Sequence, residues 1–474
     1  MAAGSPRVRF APSPTGYLHV GSARAALYNW LFARHTGGTY ILRIEDTDVE
    51  RNREEWVDGI ISALGWLEMA PDEGPFRQSD RSGRYAEAID VLWLSGVLYA
   101  CDCTREEVDA RKKDGETPGY DGYCRERGLE RDAGALRMRV PDEGTTIVHD
   151  IVRGEVSFQN SSIEDFVVVK SNGSPLFVLA NVVDDMDMEI THVIRGEDLL
   201  PSTPKGLLLW GKLERAGFGS APLPGFAHLP MLVNEKRQKL SKRRDPVSVE
   251  SYRDEGYLAS AFRNYLALLG WSNPSGEEIM STDEMVSAFS LEAVNHAPAF
   301  FDVDKLRWMN GEYLRAMTDE EFVEACGEWV SPPSAPWPPE RFDEKVFRRM
   351  APLVRERVSV LGEVPKMVDF LFLEEPERDD ASWEAVRSEE ASTAILEAAE
   401  DAYRDCEWDA ETLHRVTREV AESLGRKLNK AQAPIRVAIT GRRVGPPLFE
   451  SMAVLGRESV LVRISDARRE LGAH

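Results

Sequence analysis

Between Arg9 and Asp48 the residues allow one local path: strand, turn, helix, strand. Val8 and Phe10 are apolar in a short β-like run, and Pro12, Pro14 and Gly16 then rule out helix. Ala23, Ala26, Leu27, Trp30 and Leu31 follow at i, i+3, i+4, i+7 and i+8, one face of an amphipathic helix. The pair Gly37-Gly38 ends that helix, and Tyr40-Ile41-Leu42-Arg43-Ile44 reads as the next strand. A helix start behind a glycine turn offers N–H groups and the positive end of its dipole to an anion, most often a phosphate. His19 and Gly21 stand at that start. The glycine lets a ligand approach the backbone, and the imidazole can donate to a phosphate oxygen.

The chain has 474 residues, too many for one core, so about two to four domains are expected. Strand and helix cues keep alternating through the N-terminal part, which suits an α/β doubly wound parallel sheet. From about residue 101 to 190 that alternation breaks, and β-rich runs such as Phe166-Val167-Val168-Val169 and Leu176-Phe177-Val178-Leu179 take over. Ser331 to Pro339 holds five prolines in nine residues, neither helix nor central strand, and reads as a linker. Helix-like stretches follow it, Ala391–Asp405 among them.

No apolar run is long enough to span a bilayer. The first patterned block starts at Arg7, so no leader peptide is expected. Five cysteines, sparse and odd in number, point to a reducing compartment and hence the cytoplasm. A net charge of −23 speaks to solubility, whereas nucleic-acid binding depends on where positive charge lies. Residues 411–474 hold twelve Lys/Arg against seven Asp/Glu, while Glu374–Asp409 is strongly acidic. The pattern suits basic stripes on a surface that repels bulk nucleic acid.

A basic cluster, Lys239-Leu240-Ser241-Lys242-Arg243, would ordinarily be a solvated face or a nucleic-acid patch. Its wording resembles the lysine-rich ATP loop of class I aminoacyl-tRNA synthetases, and His19-Val20-Gly21-Ser22 resembles their other nucleotide signature. Pro12-Ser13-Pro14-Thr15-Gly16, Ile44-Glu45-Asp46-Thr47-Asp48 and Val193-Ile194-Arg195-Gly196-Glu197-Asp198 resemble the bacterial glutamyl-tRNA synthetases within that class. So does the block from Phe301 to Asn310, and, more loosely, Ala438–Arg442 and Gly445–Phe449. The resemblance implies a Rossmann-like catalytic domain from 1–100 and 191–230, with an inserted α/β domain at 101–190 that grips the tRNA acceptor end. It implies a stem-contacting region at 231–330 and an all-α anticodon-binding region at 341–474.

It also implies a site. Arg9 and Arg195 would contact the two carboxylates of glutamate, because a guanidinium pairs bidentately where lysine cannot. Which arginine serves which carboxylate stays open. Glu45 and Ser13 would lie near the substrate amino group, and Ala11 and Asn181 would line the same pocket. At Phe177 the family usually carries tyrosine, so this chain keeps the ring and loses the hydroxyl. Pro12, His19, Gly21, Asp198, Lys239, Leu240, Ser241, Lys242 and Arg243 match ATP-binding positions, with His19, Gly21, Lys239 and Lys242 the catalytic signature residues. Some members hold zinc with cysteines. Here Cys101, Cys103 and Cys124, with Tyr120 or Glu126 as the oxygen ligand, offer allowable tetrahedral chemistry, and a metal-free site is the alternative.

The implied activity is glutamate–tRNA ligase. ATP, accompanied by Mg²⁺, would activate L-glutamate, which then passes to the 3′-terminal adenosine of tRNA-Glu. Charging of tRNA-Gln as well is left open, and a monomer is the family's default. The alternatives are a shorter paralogue that glutamylates a modified tRNA base, and a synthetase-like protein that binds tRNA without catalysing. The length beyond the proline segment argues against the first, and the presence of His19 and Lys242 against the second.

Overall fold

The opening strand, β1 (Arg7–Phe10), lies inside a seven-stranded sheet rather than at its edge. The strands that follow are β2 (Thr39–Ile44), β3 (Glu73–Arg77), β4 (Leu98–Cys101), β5 (Ala135–Met138), β6 (Thr145–Asp150), β7 (Gly154–Gln159), β8 (Val167–Val169), β9 (His192–Gly196) and β10 (Gly225–Leu229), with a short separate pair, β11 (Leu232–Val233) and β12 (Ala299–Phe300). The sheet order is β3-β2-β1-β9-β10-β6-β7, parallel throughout except for the β6–β7 hairpin. Strand order therefore reverses between β1 and β9. In a doubly wound sheet a ligand crevice opens outside the carboxyl ends of the strands at that point. The computed structural model describes residues 4–48, 52–111, 119–240 and 247–472. They fall into two compact units, residues 1–253 with 259–303, and residues 254–258 with 304–474.

In the first unit, helix α1 (Val20–Thr36) follows the turn, capped by His19 and closed by Gly37 in the left-handed region at φ 64°. All five residues of its expected apolar face are buried, but so are Arg24, Tyr28 and Asn29. The helix is covered on more than one side: Asn29 Nδ2 donates to the β9 carbonyl of Ile194 at 3.0 Å, and Arg24 donates to the Leu269 carbonyl at 2.8 Å. Each of these buried polar groups has a carbonyl partner, as burial away from water demands.

Helices α2 (Glu54–Trp66), α3 (Ser82–Leu94), α4 (Arg105–Arg111), α5 (Phe177–Asp187) and α6 (Thr203–Arg215) complete the part around the site. A three-stranded sheet, β4-β5-β8, packs with α3, α5 and α6 in one core that includes Leu92, Met138, Val168, Leu179, Val183 and Trp210. The stretch Leu176–Leu179, read as strand from its apolar run, is instead the start of α5. Four apolar residues cannot distinguish strand from buried helix. The helix is fixed by its later turns, where Val182, Val183 and Met186 face the core while Asp184 and Asp185 find buried arginines.

The second unit contains helices and no strand among its described residues. Its helix starts are legible in the sequence: Asp343 accepts from the Lys345 and Val346 N–H groups, Asp409 from Thr412, and Thr318 forms a capping box with Glu321. The proline segment is largely exposed but is anchored rather than free. Its Trp337 is 3% exposed and packs against Phe342 and Phe372, and the break between the units falls upstream, at Val303–Asp304. Prolines leave few N–H groups to satisfy, so such a segment can lie against a core and insert one aromatic ring.

Candidate active site

A crevice of about 460 Å³ opens at the carboxyl ends of β1 and β9. Arg9, Ala11, Pro12 and Ser13 line it from β1 and the turn behind it, and the Glu45 N–H pins that turn by donating to the Pro12 carbonyl at 2.9 Å. His19 and Gly21 enter from the start of α1, Glu45 from the end of β2, Phe177 and Asn181 from α5, and Arg195 and Asp198 from the end of β9. Lys239 and Leu240 also line it. Ser241, Lys242 and Arg243 lie outside the described residues.

The start of α1 works differently from a bare anion cradle. The Gly21 N–H donates to His19 Nδ1 at 3.0 Å, and the Val20 N–H donates to the Val247 carbonyl at 2.9 Å, so neither N–H is left for a ligand. A ring nitrogen that accepts carries no proton, which assigns the proton of a neutral imidazole to Nε2. A Cβ on Gly21 would come within 3.3 Å of His19 Nδ1. The imidazole therefore favours glycine at this position, since any side chain would press on it.

Beside the crevice lies an ionic network that the sequence motifs do not announce. Arg43 is fully buried and donates to Asp185 at 2.7 Å and to the Asn181 side-chain oxygen at 2.7 Å. Asp185 also accepts from Arg9 Nε and Nη2, at 3.0 and 3.2 Å. Glu45 lies 3.5 Å from Arg43, and Asp184 takes Arg81, Gln78 and Tyr85 at 2.6 to 3.0 Å. Arg9, Arg43 and Arg81 thus meet Glu45, Asp184 and Asp185, charge for charge. Burial alone would raise the Asp185 carboxyl, but Arg9 and Arg43 overcome it and hold the group down at about 2. For Glu45 burial wins over Arg43 and Arg9, and its carboxyl sits above the ordinary value. A cation arriving beside it would favour the ionised form.

Arg195 is the exception. Its Nε donates to His228 Nε2 at 3.2 Å and its Nη2 to Thr203 Oγ1 at 2.9 Å, but no carboxylate pairs with it among the described residues. Burial, reinforced by the charge of Arg9, lowers it to about 10, so it remains a cation at neutral pH. One arginine of the crevice is therefore paired with Asp185, and the other has no carboxylate partner among the described residues.

Phe177 lines both the crevice and a smaller cavity of about 40 Å³ behind it, shared with Asn181, Arg195, Thr203 and Trp210. If the crevice takes glutamate, as the resemblance implies, and nothing replaces the hydroxyl that the family usually carries here, Phe177→Tyr should lower the Michaelis constant for glutamate by about two- to tenfold, the worth of one neutral hydrogen bond. Steady-state kinetics check this. An unchanged or raised constant would mean that the site has compensated or has no room.

Away from the crevice, the Sγ atoms of Cys101, Cys103 and Cys124 lie within 4.8 Å of one another. The Tyr120 hydroxyl is 3.6 Å from Cys101 Sγ. Glu126 is not part of this group; it is exposed and accepts from Arg139 at 2.7 Å. Arg111 and Arg127 donate to Cys103 and Cys124 at 3.1 and 3.2 Å.

Two family models match a chain with this geometry. One, described as the catalytic domain of class I tRNA synthetases (E and Q), covers residues 6–308, and the other, an anticodon binding domain, covers 321–468. The chain belongs to the class I tRNA synthetases of the E and Q group. Among relatives of this synthetase family, a protein of Frankia casuarinae named glutamate–tRNA ligase is 54% identical, covering 99% of both chains. One of the same name from Thermobifida fusca is 53% identical over 98% of each. A solved glutamate tRNA ligase from Elizabethkingia meningosepticum, in complex with its amino acid, superposes with TM-score 0.83 at 31% identity, covering 98% of this chain and all of that one. The family's α/β core and helical C-terminal region are those described above. No described helix is long and apolar enough to cross a membrane.

Proposed function

We propose that the chain is a glutamate–tRNA ligase, which activates L-glutamate with ATP and esterifies it to tRNA-Glu. One observation carries the reading: an uncompensated guanidinium, Arg195, shares a crevice with a second arginine and with the buried carboxyl of Glu45. Arg195 offers one carboxylate of glutamate an unpaired guanidinium, Arg9 offers the other a guanidinium shared with Asp185, and Glu45 offers the ammonium an acceptor. Arg9 and Arg195 take the carboxylates, and Glu45 with Ser13 takes the ammonium. The α-carboxylate attacks the α-phosphorus of ATP, supplied with Mg²⁺ on its phosphates, and pyrophosphate leaves. His19, with its proton on Nε2, donates to phosphate oxygen, and Lys239 and Lys242 meet phosphate charge. Positioning and preorganised charge supply the rate, since the side chains have little covalent work to do. Within 101–190, β6 and β7 extend the central sheet and α5 lines the crevice, so the remainder of that stretch holds the acceptor end, while 231–330 contacts the stem and 341–474 reads the anticodon, all in the cytoplasm.

The test is pyrophosphate exchange into ATP in the presence of tRNA. Glutamate should support exchange, while glutamine, which leaves an arginine facing an amide, should be far weaker. Equal exchange with glutamine would overturn the reading.

Cys101, Cys103, Cys124 and Tyr120 hold one structural zinc that stiffens the inserted stretch. The donor set fits: three close thiols and a phenol suit tetrahedral coordination. Three thiolates and a phenolate would overbalance Zn²⁺ by two negative charges, and Arg111 and Arg127 lie where they offset them. Metal analysis of protein purified without chelator should find about one zinc per chain. Cys103→Ser should lose it and weaken acceptor-end binding more than ATP binding. No zinc in protein with intact, reduced thiols would contradict this.

A further inference from the structure

The parallel register of β9 and β10 sets Arg195 opposite His228. His228 is fully buried, in the middle of the apolar strand Phe226-Ala227-His228-Leu229. Its two ring nitrogens are both engaged. Nε2 accepts from Arg195 Nε at 3.2 Å and lies 3.0 Å from Thr203 Oγ1, while Nδ1 lies 2.6 Å from Asp150 Oδ2. Asp150 ends β6, and its Oδ1 accepts from the Val152 and Arg153 N–H groups at 3.0 and 2.8 Å. Its carboxylate also accepts from the His228 N–H at 3.1 Å.

These contacts settle the tautomer. A guanidinium has donors only, so the nitrogen that faces Arg195 carries no proton, and the proton sits on Nδ1, pointed at Asp150. Arg195 is thereby held by Nε from one side and by Nη2 through Thr203 from another, which leaves Nη1 as the donor without a partner among the described residues.

We propose that Asp150 and His228 are positioning residues for glutamate activation, fixing Arg195 so that its remaining donors meet a substrate carboxylate. The proposal rests on the reading that Arg195 binds glutamate. It gives the buried pair a purpose beyond the backbone N–H groups that Asp150 already accepts from. It also ties the glutamate pocket to the stretch 101–190, because Asp150 is contributed by its hairpin.

The decisive variant is Asp150→Asn. Its side-chain oxygen must still face the Val152 and Arg153 N–H groups, which turns its NH₂ toward His228 Nδ1. The imidazole proton then moves to Nε2 and confronts Arg195, donor against donor. Asp150→Asn and His228→Ala should each raise the Michaelis constant for glutamate by roughly ten- to hundredfold, the loss of one hydrogen bond to a charged group. The constant for ATP should stay within about twofold. His228→Gln, whose side-chain oxygen can still accept from Arg195, should recover part of the loss. If the role is positional, Asp150→Asn should add little on an Arg195→Ala background.

Should Asp150→Asn and His228→Ala leave the glutamate constant alone, or raise it no more than the ATP constant, the positioning role is overturned. If Arg195→Ala raises the glutamate constant while those two do not, only the positioning fails. An Arg195→Ala variant with an unchanged glutamate constant overturns the proposal together with the reading beneath it.

Discussion

Lys242→Ala should slow adenylate formation by roughly 10²–10³, about 3–4 kcal/mol, by analogy with a single lost oxyanion donor. The lysine stands second in the basic loop, and by its resemblance to the family's ATP loop it meets phosphate charge as pyrophosphate departs. Such a contact is stronger in the transition state than in the ground state, so its loss lowers turnover and leaves substrate binding nearly alone. Transfer of glutamate from preformed adenylate should suffer much less, because pyrophosphate has already left. If the loop were a tRNA backbone contact, the variant would weaken tRNA affinity and flatten its salt dependence by about one unit of slope, with chemistry intact at saturation. Single-turnover kinetics at saturating tRNA separate the two. A near-normal rate there would reject the catalytic role.

The second large effect belongs to the buried network. Asp185→Asn leaves Arg9 and Arg43 without their shared carboxylate, and stranding a buried charge costs about 3–5 kcal/mol. For a unit of this size the corresponding thermal transition should fall on the order of 10 °C at neutral pH. The pH dependence gives a signed check. The folded-state Asp185 carboxyl is held at about 2, below its ordinary range. Its stabilisation is therefore complete above the unfolded value of about 3.9 and is lost as pH falls from there toward 2. The wild-type chain should lose stability across that window more steeply than Asp185→Asn. Glu45 works in the opposite sense: burial raises its carboxyl, so its ionisation weakens the fold as pH rises past the ordinary glutamate value. Equal slopes for the two proteins in acid, by thermal unfolding at several pH values, would contradict the assignment to Asp185.

How much of this is legible in the residues alone depends on the distance over which each feature is determined. The opening strand–turn–helix–strand is local, and β1, α1 and β2 fall where periodicity and the glycine pair place them. The thirteen described residues expected to bind glutamate or ATP all line one crevice, most of them at strand ends or helix starts on the same edge of the sheet, with Asn181 from the second turn of α5 and Lys239 and Leu240 from a loop. Arg43, Asp185 and His228 belong to no motif, although each interrupts an apolar run, which is the signature of a buried and partnered polar group. Their partners cannot be inferred from spacing, since Arg9 and Asp185 are 176 residues apart and His228 and Asp150 are 78 apart. The start of α5 and the place of Trp337 depart from their sequence expectations for the same reason: the packing that decides them comes from distant chain.

Esterification of glutamate to tRNA is open to one direct measurement. Incubation of the purified protein with ATP, Mg²⁺ and labelled glutamate should charge tRNA-Glu through an alkali-labile ester at its 3′-terminal adenosine. A parallel reaction with purified tRNA-Gln shows whether the second acceptor is used. Stable glutamate label on a tRNA base, or no charging of either tRNA by protein that binds both, would contradict the account.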